Sequence, residues 1–267
     1  MKTIYKLALV GSFLSAAPTH AGNVLIVNGS GATSESLTTA SITTQLSNLQ
    51  TAVGNAVTVV DVVPMSLVGF QQVWDLRFSN ASALTGGVQS QYLSYLQGGG
   101  GLFVMGENSG FNTRNNSIIG LISIAGGGSL SLAAPTSTQT VYAPFDGPNA
   151  VGTINYLVPG GVNGFGTGQW ITANASGTAG SGVAFGVGTL SNASAGALTA
   201  VFDVNFLQTD ASAGNQALAR NLVNFVGEQV QPGAVPEPAT WAFMILGFGA
   251  VGCRLRRHRA KVGILLS

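Results

Sequence analysis

The sequence predicts an α/β domain, a mostly parallel sheet flanked by helices, carrying a Gly-rich β/loop insertion and a short membrane helix at its C-terminus. Three observations carry that expectation. Short apolar, β-branched runs alternate with longer stretches of helical period, as strand-helix-strand crossovers require. From Gly126 to Gly196 helical periodicity gives way to Gly, Ser, Thr and Asn. Near its end the chain has an uncharged run backed by a basic cluster.

The elements follow in order. Val24 to Val27 is too brief for a helix and ends on Asn28-Gly29-Ser30-Gly31, so it reads as a buried strand. Ser34 and Glu35 open a helix whose apolar positions are Leu37, Ile42, Leu46, Leu49 and Val53, closed by Gly54. Val57 to Val63 is a second buried strand, stopped by Pro64, which cannot donate to a ladder. A third strand spans Val73 to Phe78. The next helix, Val88 to Gln97, places Val88, Tyr92, Leu93 and Leu96 on one face and stops at Gly98 to Gly101. Leu102 to Met105 is the fourth strand, and Thr113 to Ala125 a helix with Ile118, Ile119 and Ile122 inward.

Within the insertion, short antiparallel strands are expected near Thr138 to Tyr142, Ile154 to Val158, Gln169 to Ala173 and Val183 to Gly186, joined by long loops. Phe145, Phe165, Trp170 and Phe185 argue for packing there rather than disorder. Ala197 to Phe206 is the last central strand. Asn215 to Gly227 is the last helix, with Leu218, Leu222, Phe225 and Val226 on one face.

Both ends read as address labels. Residues 1–21 have Lys2 and Lys6 ahead of an apolar run from Leu7 to Ala17 and a small-residue cleavage site at Thr19-His20-Ala21, the layout of a signal peptide read by the Sec export machinery. An exported α/β domain, residues 22–228, follows, and a linker, 229–235, leads to the tail. The uncharged run from Ala239 to Cys253 would reach roughly 22 Å as a helix, short of a hydrocarbon core of about 30 Å. Arg254, Arg256, Arg257, Arg259 and Lys261 behind it keep the end of the chain cytoplasmic and put everything before Pro236 across the membrane.

Pro236-Glu237-Pro238, Trp241-Ala242, Leu246-Gly247-Phe248-Gly249 and the basic cluster, residues 236–261, together resemble a PEP-CTERM sorting signal. The resemblance implies recognition and processing by an exosortase in a Gram-negative envelope. It further implies transient membrane anchoring, then release or display at the cell surface, often alongside exopolysaccharide. Family members usually end at the Arg cluster, whereas here Val262 to Ser267 follow.

Composition narrows the chemistry. Between the labels stand three cations, Arg77, Arg114 and Arg220, against eight carboxylates, an excess of five negative charges hidden by the whole-chain value of +1. Nucleic acid, which demands clustered cations, is excluded as a partner. Both histidines, His20 and His258, and the one cysteine, Cys253, fall in the labels, and no lysine lies between Lys6 and Lys261. Ser-His-Asp, Cys-His, Schiff-base and His-ligated zinc sites are therefore unavailable. No cofactor is expected.

In an open parallel sheet, ligands sit at the carboxyl ends of the strands. That rim should gather Asn28, Asp75 with Arg77, Glu107 with Asn108, and Asp203 with Asn205. Three readings of it compete. The rim is polar strand ends alone; or Glu107, Asp203 and Asp75 make a carboxylate- or metal-dependent carbohydrate-active hydrolase; or Arg77 or Arg114 grips an anionic group while Trp74 or Trp170 stacks on a sugar. A non-catalytic binding or structural role at the surface or in the extracellular matrix is the leading expectation, and the hydrolase its alternative.

Gly98 to Phe111, GGGGLFVMGENSGF, resembles the strand and elbow of class I glutamine-amidotransferase-like folds, which implies a flavodoxin-like order of elements. Gly106 or Glu107 stands where that family has Cys, and the partner His is missing, so the activity is not implied. Gly29-Ser30-Gly31-Ala32-Thr33-Ser34 approximates a dinucleotide fingerprint, but Ser34 replaces its third Gly, and a strand-to-helix turn accounts for it equally.

Overall fold

Val24 to Val27 are apolar on both sides of the pleat, and they build the buried strand β1 (Asn23–Val27), around which the first half of the domain is wound. The computed structural model describes residues 22–29 and 36–230. After β1 come α1 (Ser36–Ala52), β2 (Ala56–Val60), β3 (Gln72–Asp75), α2 (Gly86–Gln97), β4 (Gly101–Gly106) and α3 (Asn112–Ile124). The remaining elements are β5 (Leu132–Ala133), β6 (Thr138–Val141), β7 (Thr153–Asn155), β8 (Gly161–Val162), β9 (Gln169–Ala173), β10 (Gly182–Phe185), β11 (Ala197–Phe202) and α4 (Ala213–Gln229).

Nine strands form one mixed sheet in the order β2-β1-β3-β4-β11-β10-β9-β6-β7, and β5 pairs with β8 apart from it. The first five in that row are parallel to one another; the last four run antiparallel to their neighbours. Counting the parallel strands alone gives 2-1-3-4-5, a doubly wound order whose direction reverses between β1 and β3. Ile42 and Leu46 of α1 and Leu218, Leu222 and Phe225 of α4 cover one face, together with Trp74 and Phe103 from the sheet. Tyr92 and Leu96 of α2 and Ile118, Leu121 and Ile122 of α3 cover the other.

Capping fixes the helix starts. Thr85 accepts from the amide of Val88 ahead of α2, and Ser212 from that of Asn215 ahead of α4. The expected start of α1 at Ser34 and Glu35, the signal peptide, most of the linker, the membrane segment 239–253 and the sorting signal lie outside the described residues. Among the described residues no helix is long and apolar enough to cross a membrane.

Several expectations are corrected. The sheet is mixed rather than mostly parallel, because the antiparallel strands expected in the Gly-rich region, present as β6, β7, β9 and β10, extend the same sheet. Of these, β9 and β10 bury residues on both faces, Ile171 and Ala184 toward α4 and Trp170, Val183 and Phe185 toward α3, so their Gly-rich joints conceal core strands. The strand expected over Val57 to Val63 ends at Val60 and is an exposed edge, not a buried strand. The third strand ends at Asp75 because its Oδ1 accepts from the Arg77 amide and turns the chain. The last one ends at Phe202, where Asp203 caps a 3-10 turn, Val204–Leu207.

Candidate functional site

The carboxyl ends of the parallel strands carry three polar features, and the period of two along a strand decides how they are shared out. Val73 and Asp75 point to the α2/α3 face, as do Leu102 and Val104 of the neighbouring strand. Phe103 and Met105 point to the other face, and Glu107, two residues on, follows them. Asp203 follows Val201 onto that same face. The three candidate carboxylates therefore do not form one cluster.

Asp75 is fully buried and saturated with donors. Arg77 grips it with two bonds, Nε to Oδ1 at 2.8 Å and Nη2 to Oδ2 at 2.6 Å, while the Tyr92 hydroxyl donates to Oδ2 at 2.9 Å. Arg114 Nη2 approaches the same oxygen at 3.4 Å. Arg114 is itself fully buried, with Nε donating to the Met105 carbonyl at 3.0 Å and Nη1 to that of Ser82 at 2.8 Å. Burial works to raise the Asp75 carboxyl, but the Arg114 charge, the hydrogen bond and charge of Arg77 and the Tyr92 hydrogen bond outweigh it and hold the group below the usual carboxylate range. Burial, then the Asp75 charge, keeps the Tyr92 phenol neutral, well above its ordinary value. Two guanidiniums thus share one carboxylate, leaving a unit of positive charge under the end of β3. Arg114 sits inside and faces no solvent; Arg77 keeps 13% of its side chain exposed.

Glu107 and Asp203 follow register partners, Gly106 and Phe202, at the ends of β4 and β11. Glu107 Oε1 accepts from the amide and side chain of Asn108 at 3.0 and 3.1 Å, and Oε2 from the Val204 amide at 2.8 Å. Asp203 accepts from the amides of Asn205 at 2.8 Å and Val158 at 3.3 Å. Asn115, on α3, closes the knot, accepting from the Glu107 amide and donating to the Glu107 carbonyl at 2.6 Å. Burial pushes the Glu107 carboxyl up to about 7, against the pull of the Val204 and Asn108 amides and helped by the Asp203 charge. Burial likewise raises Asp203, opposed by its backbone donors. Of the other named residues, Asn108 caps the turn at Gly110 and Asn205 donates to Gln208 at 3.0 Å. Trp74 is buried against Phe103, ring centroids 4.5 Å apart, and Trp170 is buried with its Nε1 donating to Gly177, so neither ring faces outward as a sugar platform.

The third feature is a crevice of about 150 Å³ at the β1/β3 reversal, the position where doubly wound sheets hold ligands. Asn28 and Gly29 after β1, Asp61 after β2, and Arg77, Phe78 and Ser79 after β3 line it. Gly29 has φ +65°, and a Cβ there would stand 2.9 Å from Cγ of Arg77, so a glycine is what lets the arginine stem lie across the turn. Sequence reasoning found Asn28 and Arg77 but not Asp61, Ser79, Tyr92 or Asn115. For Tyr92 a signal existed: a phenol on an apolar helix face needs a buried acceptor. Among the described residues no group of three or more His, Cys, Asp or Glu is placed to hold a metal ion.

The fold has relatives among solved structures. The N-terminal domain of mmIFT52 superposes with a TM-score of 0.54 at 10% identity, over 79% of this chain and 98% of that one. A putative ThuA-like protein from Bacteroides uniformis superposes at 0.53 and 12% identity, over 79% and 94%. At such identities the likeness is one of fold. No curated protein matches the chain in sequence. Residues 234–259 match the PEP-CTERM protein-sorting motif, so the chain carries the C-terminal signal of an exported protein sorted by an exosortase.

Proposed function

We propose that residues 22–230 form a surface-delivered recognition domain that binds, without turning it over, an acidic saccharide of the exopolysaccharide type in the β1/β3 crevice. The carrying observation is Arg77 in the crevice wall. Its carboxylate partner is shared with Arg114, so positive charge is left to meet a ligand carboxylate. Asp61 and Ser79 on the same walls suit sugar hydroxyls, Phe78 offers an apolar patch, and the volume is of the order of one sugar ring. The sorting signal supports the location, since an exosortase substrate reaches the envelope where such polymers lie. The amidotransferase-like elbow belongs to this reading as fold only: Glu107 occupies the turn after β4 and is bound to backbone amides.

The hydrolase reading has one observation in its favour, a raised Glu107 beside Asp203, the kind of pair that marks acid-base sites. Against it, both carboxylates are buried, their oxygens engage backbone amides, and neither lines the crevice.

Titration calorimetry of the exported protein with oligouronates and with neutral glucans tests the proposal. Binding is expected for the oligouronates alone, weakened at least about tenfold, or about 1.4 kcal/mol, by Arg77→Met and by Ala81→Trp, which fills the crevice mouth. Release of new reducing ends, abolished by Glu107→Gln, would replace it with the hydrolase.

A further inference from the structure

The first edge of the sheet is built for a partner. Among the described residues, β2 pairs with β1 alone, on one side. The Ala56 amide donates to Gly22 and the Val60 carbonyl accepts from Asn28, so Ala56, Thr58 and Val60 turn their backbone groups inward. With the alternation of a strand, Val57 and Val59 turn theirs outward. Natural sheets guard such edges with Lys, Pro, a bulge or a short strand. Here no charged residue occurs from Ser36 to Val60, the strand is five residues of AVTVV, and its register with β1 is unbroken. The opposite edge, β7, is three residues long.

Apolar exposure concentrates at the same place. Of ten exposed large hydrophobic residues among those described, five lie between positions 53 and 68: Val53, Val59, Val62, Met65 and Val68. Val62, Met65 and Val68 are 68%, 103% and 91% exposed. Val53 directly follows α1, which covers one face of the sheet. The crossover bearing the other three packs Val63 and Leu67 into the core of the opposite face. Apolar groups therefore flank the open edge on both sides, a patch of the kind that marks association surfaces.

We propose that this edge is a homodimer interface, β2 pairing antiparallel with β2 of a second copy about a two-fold axis at Thr58. The strand reads nearly the same in both directions, which specifies a copy of itself as the occupant. With Thr58 opposite Thr58, Val57 faces Val59 and Ala56 faces Val60. The outward groups of Val57 and Val59 then form the hydrogen-bonded pairs, and the threonines fall at the close, non-bonded position where Thr-Thr pairs are favourable. One patch meets itself, the isologous contact of a closed dimer. Val62 borders both this patch and the crevice, but the pairing is carried by the backbone of Val57 and Val59, which do not line the crevice, and the cross-link is read without any saccharide, so its failure is distinguishable from failure of the binding proposal.

Site-specific cross-linking in the full chain tests it. Cys253→Ser removes the native thiol, and Thr58→Cys is added in that background in an exporting Gram-negative host. Non-bonded antiparallel pairs place Cα atoms about 4.5 Å apart, within disulfide range. With copper-phenanthroline as oxidant, Thr58→Cys should run predominantly as a disulfide dimer. Val57→Cys alone should not, while Val57→Cys coexpressed with Val59→Cys should. Val59→Lys should abolish the Thr58→Cys dimer, and an unchanged melting temperature would show the fold intact. Three outcomes overturn the proposal: no Thr58→Cys dimer, equal dimer from Ser176→Cys on a distant loop, or cross-linking to a different protein.

Discussion

Replacing Asp75 by Asn probes the most heavily committed side chain of the domain. In the native protein its two oxygens receive Arg77 Nε and Nη2, the Arg77 amide, the Tyr92 hydroxyl and, at 3.4 Å, Arg114. An amide keeps one acceptor oxygen and turns an NH2 group toward the donors of two cations. Arg114 is fully buried and would lose its only counter-charge among the described residues. Breaking a buried ion pair from one side costs about 3–5 kcal/mol. At about 2–4 °C per kcal/mol for a domain of this size, the Tm should fall by roughly 6–20 °C. Far-UV circular dichroism melting of the exported domain at pH 7 measures it. Adding Arg114→Met removes one stranded cation and should recover part of the loss, with a coupling above about 1 kcal/mol. A single variant melting within about 2 °C of the unmodified domain would refute the assignment of Asp75 as the counter-charge that holds these arginines.

Two further outcomes follow from the same chemistry. The folded state raises Glu107 from 4.5 to about 7, so the stability it lends is complete below its unfolded value and is lost as pH rises to about 7, up to roughly 3 kcal/mol. Asp75 is lowered, so its contribution is present above its unfolded value and disappears only in stronger acid. Urea denaturation should find the domain more stable near pH 5 than at pH 8, and Glu107→Gln should flatten that slope while costing about 1–3 kcal/mol at pH 5 for the amide donor left unpaired. At Gly160 a Cβ would lie only 2.1 Å from the Glu107 carbonyl oxygen, so Gly160→Ala should destabilise by about 1–3 kcal/mol, read in the same assay, by prising its loop from the end of β4.

Local pattern made much of this architecture legible. α1, α2, α3 and α4 announced themselves by period, and β1, β4 and β9 by apolar runs, because backbone preference and one-sided burial are written residue by residue. The sorting signal was legible for a different reason: it is read as a linear string. The Gly-rich region was legible as short strands but not as a continuation of the central sheet, since the segments against which Ile171 of β9 and Val183 and Phe185 of β10 pack are distant in sequence.

For the site, the sequence alone determined the inventory: a domain without His, Cys or Lys, with Asp75, Arg77, Glu107, Arg114 and Asp203 as its polar resources. Only the tertiary structure decided their use. Strand parity sent Asp75 to one face and Glu107 with Asp203 to the other. Helix α3 carried Arg114 into the interior, and the reversal between β1 and β3 left Arg77 beside open space. The physical reason is that composition fixes which charges exist, whereas desolvation and partnership, which set what a charge can do, depend on neighbours that only folding brings together.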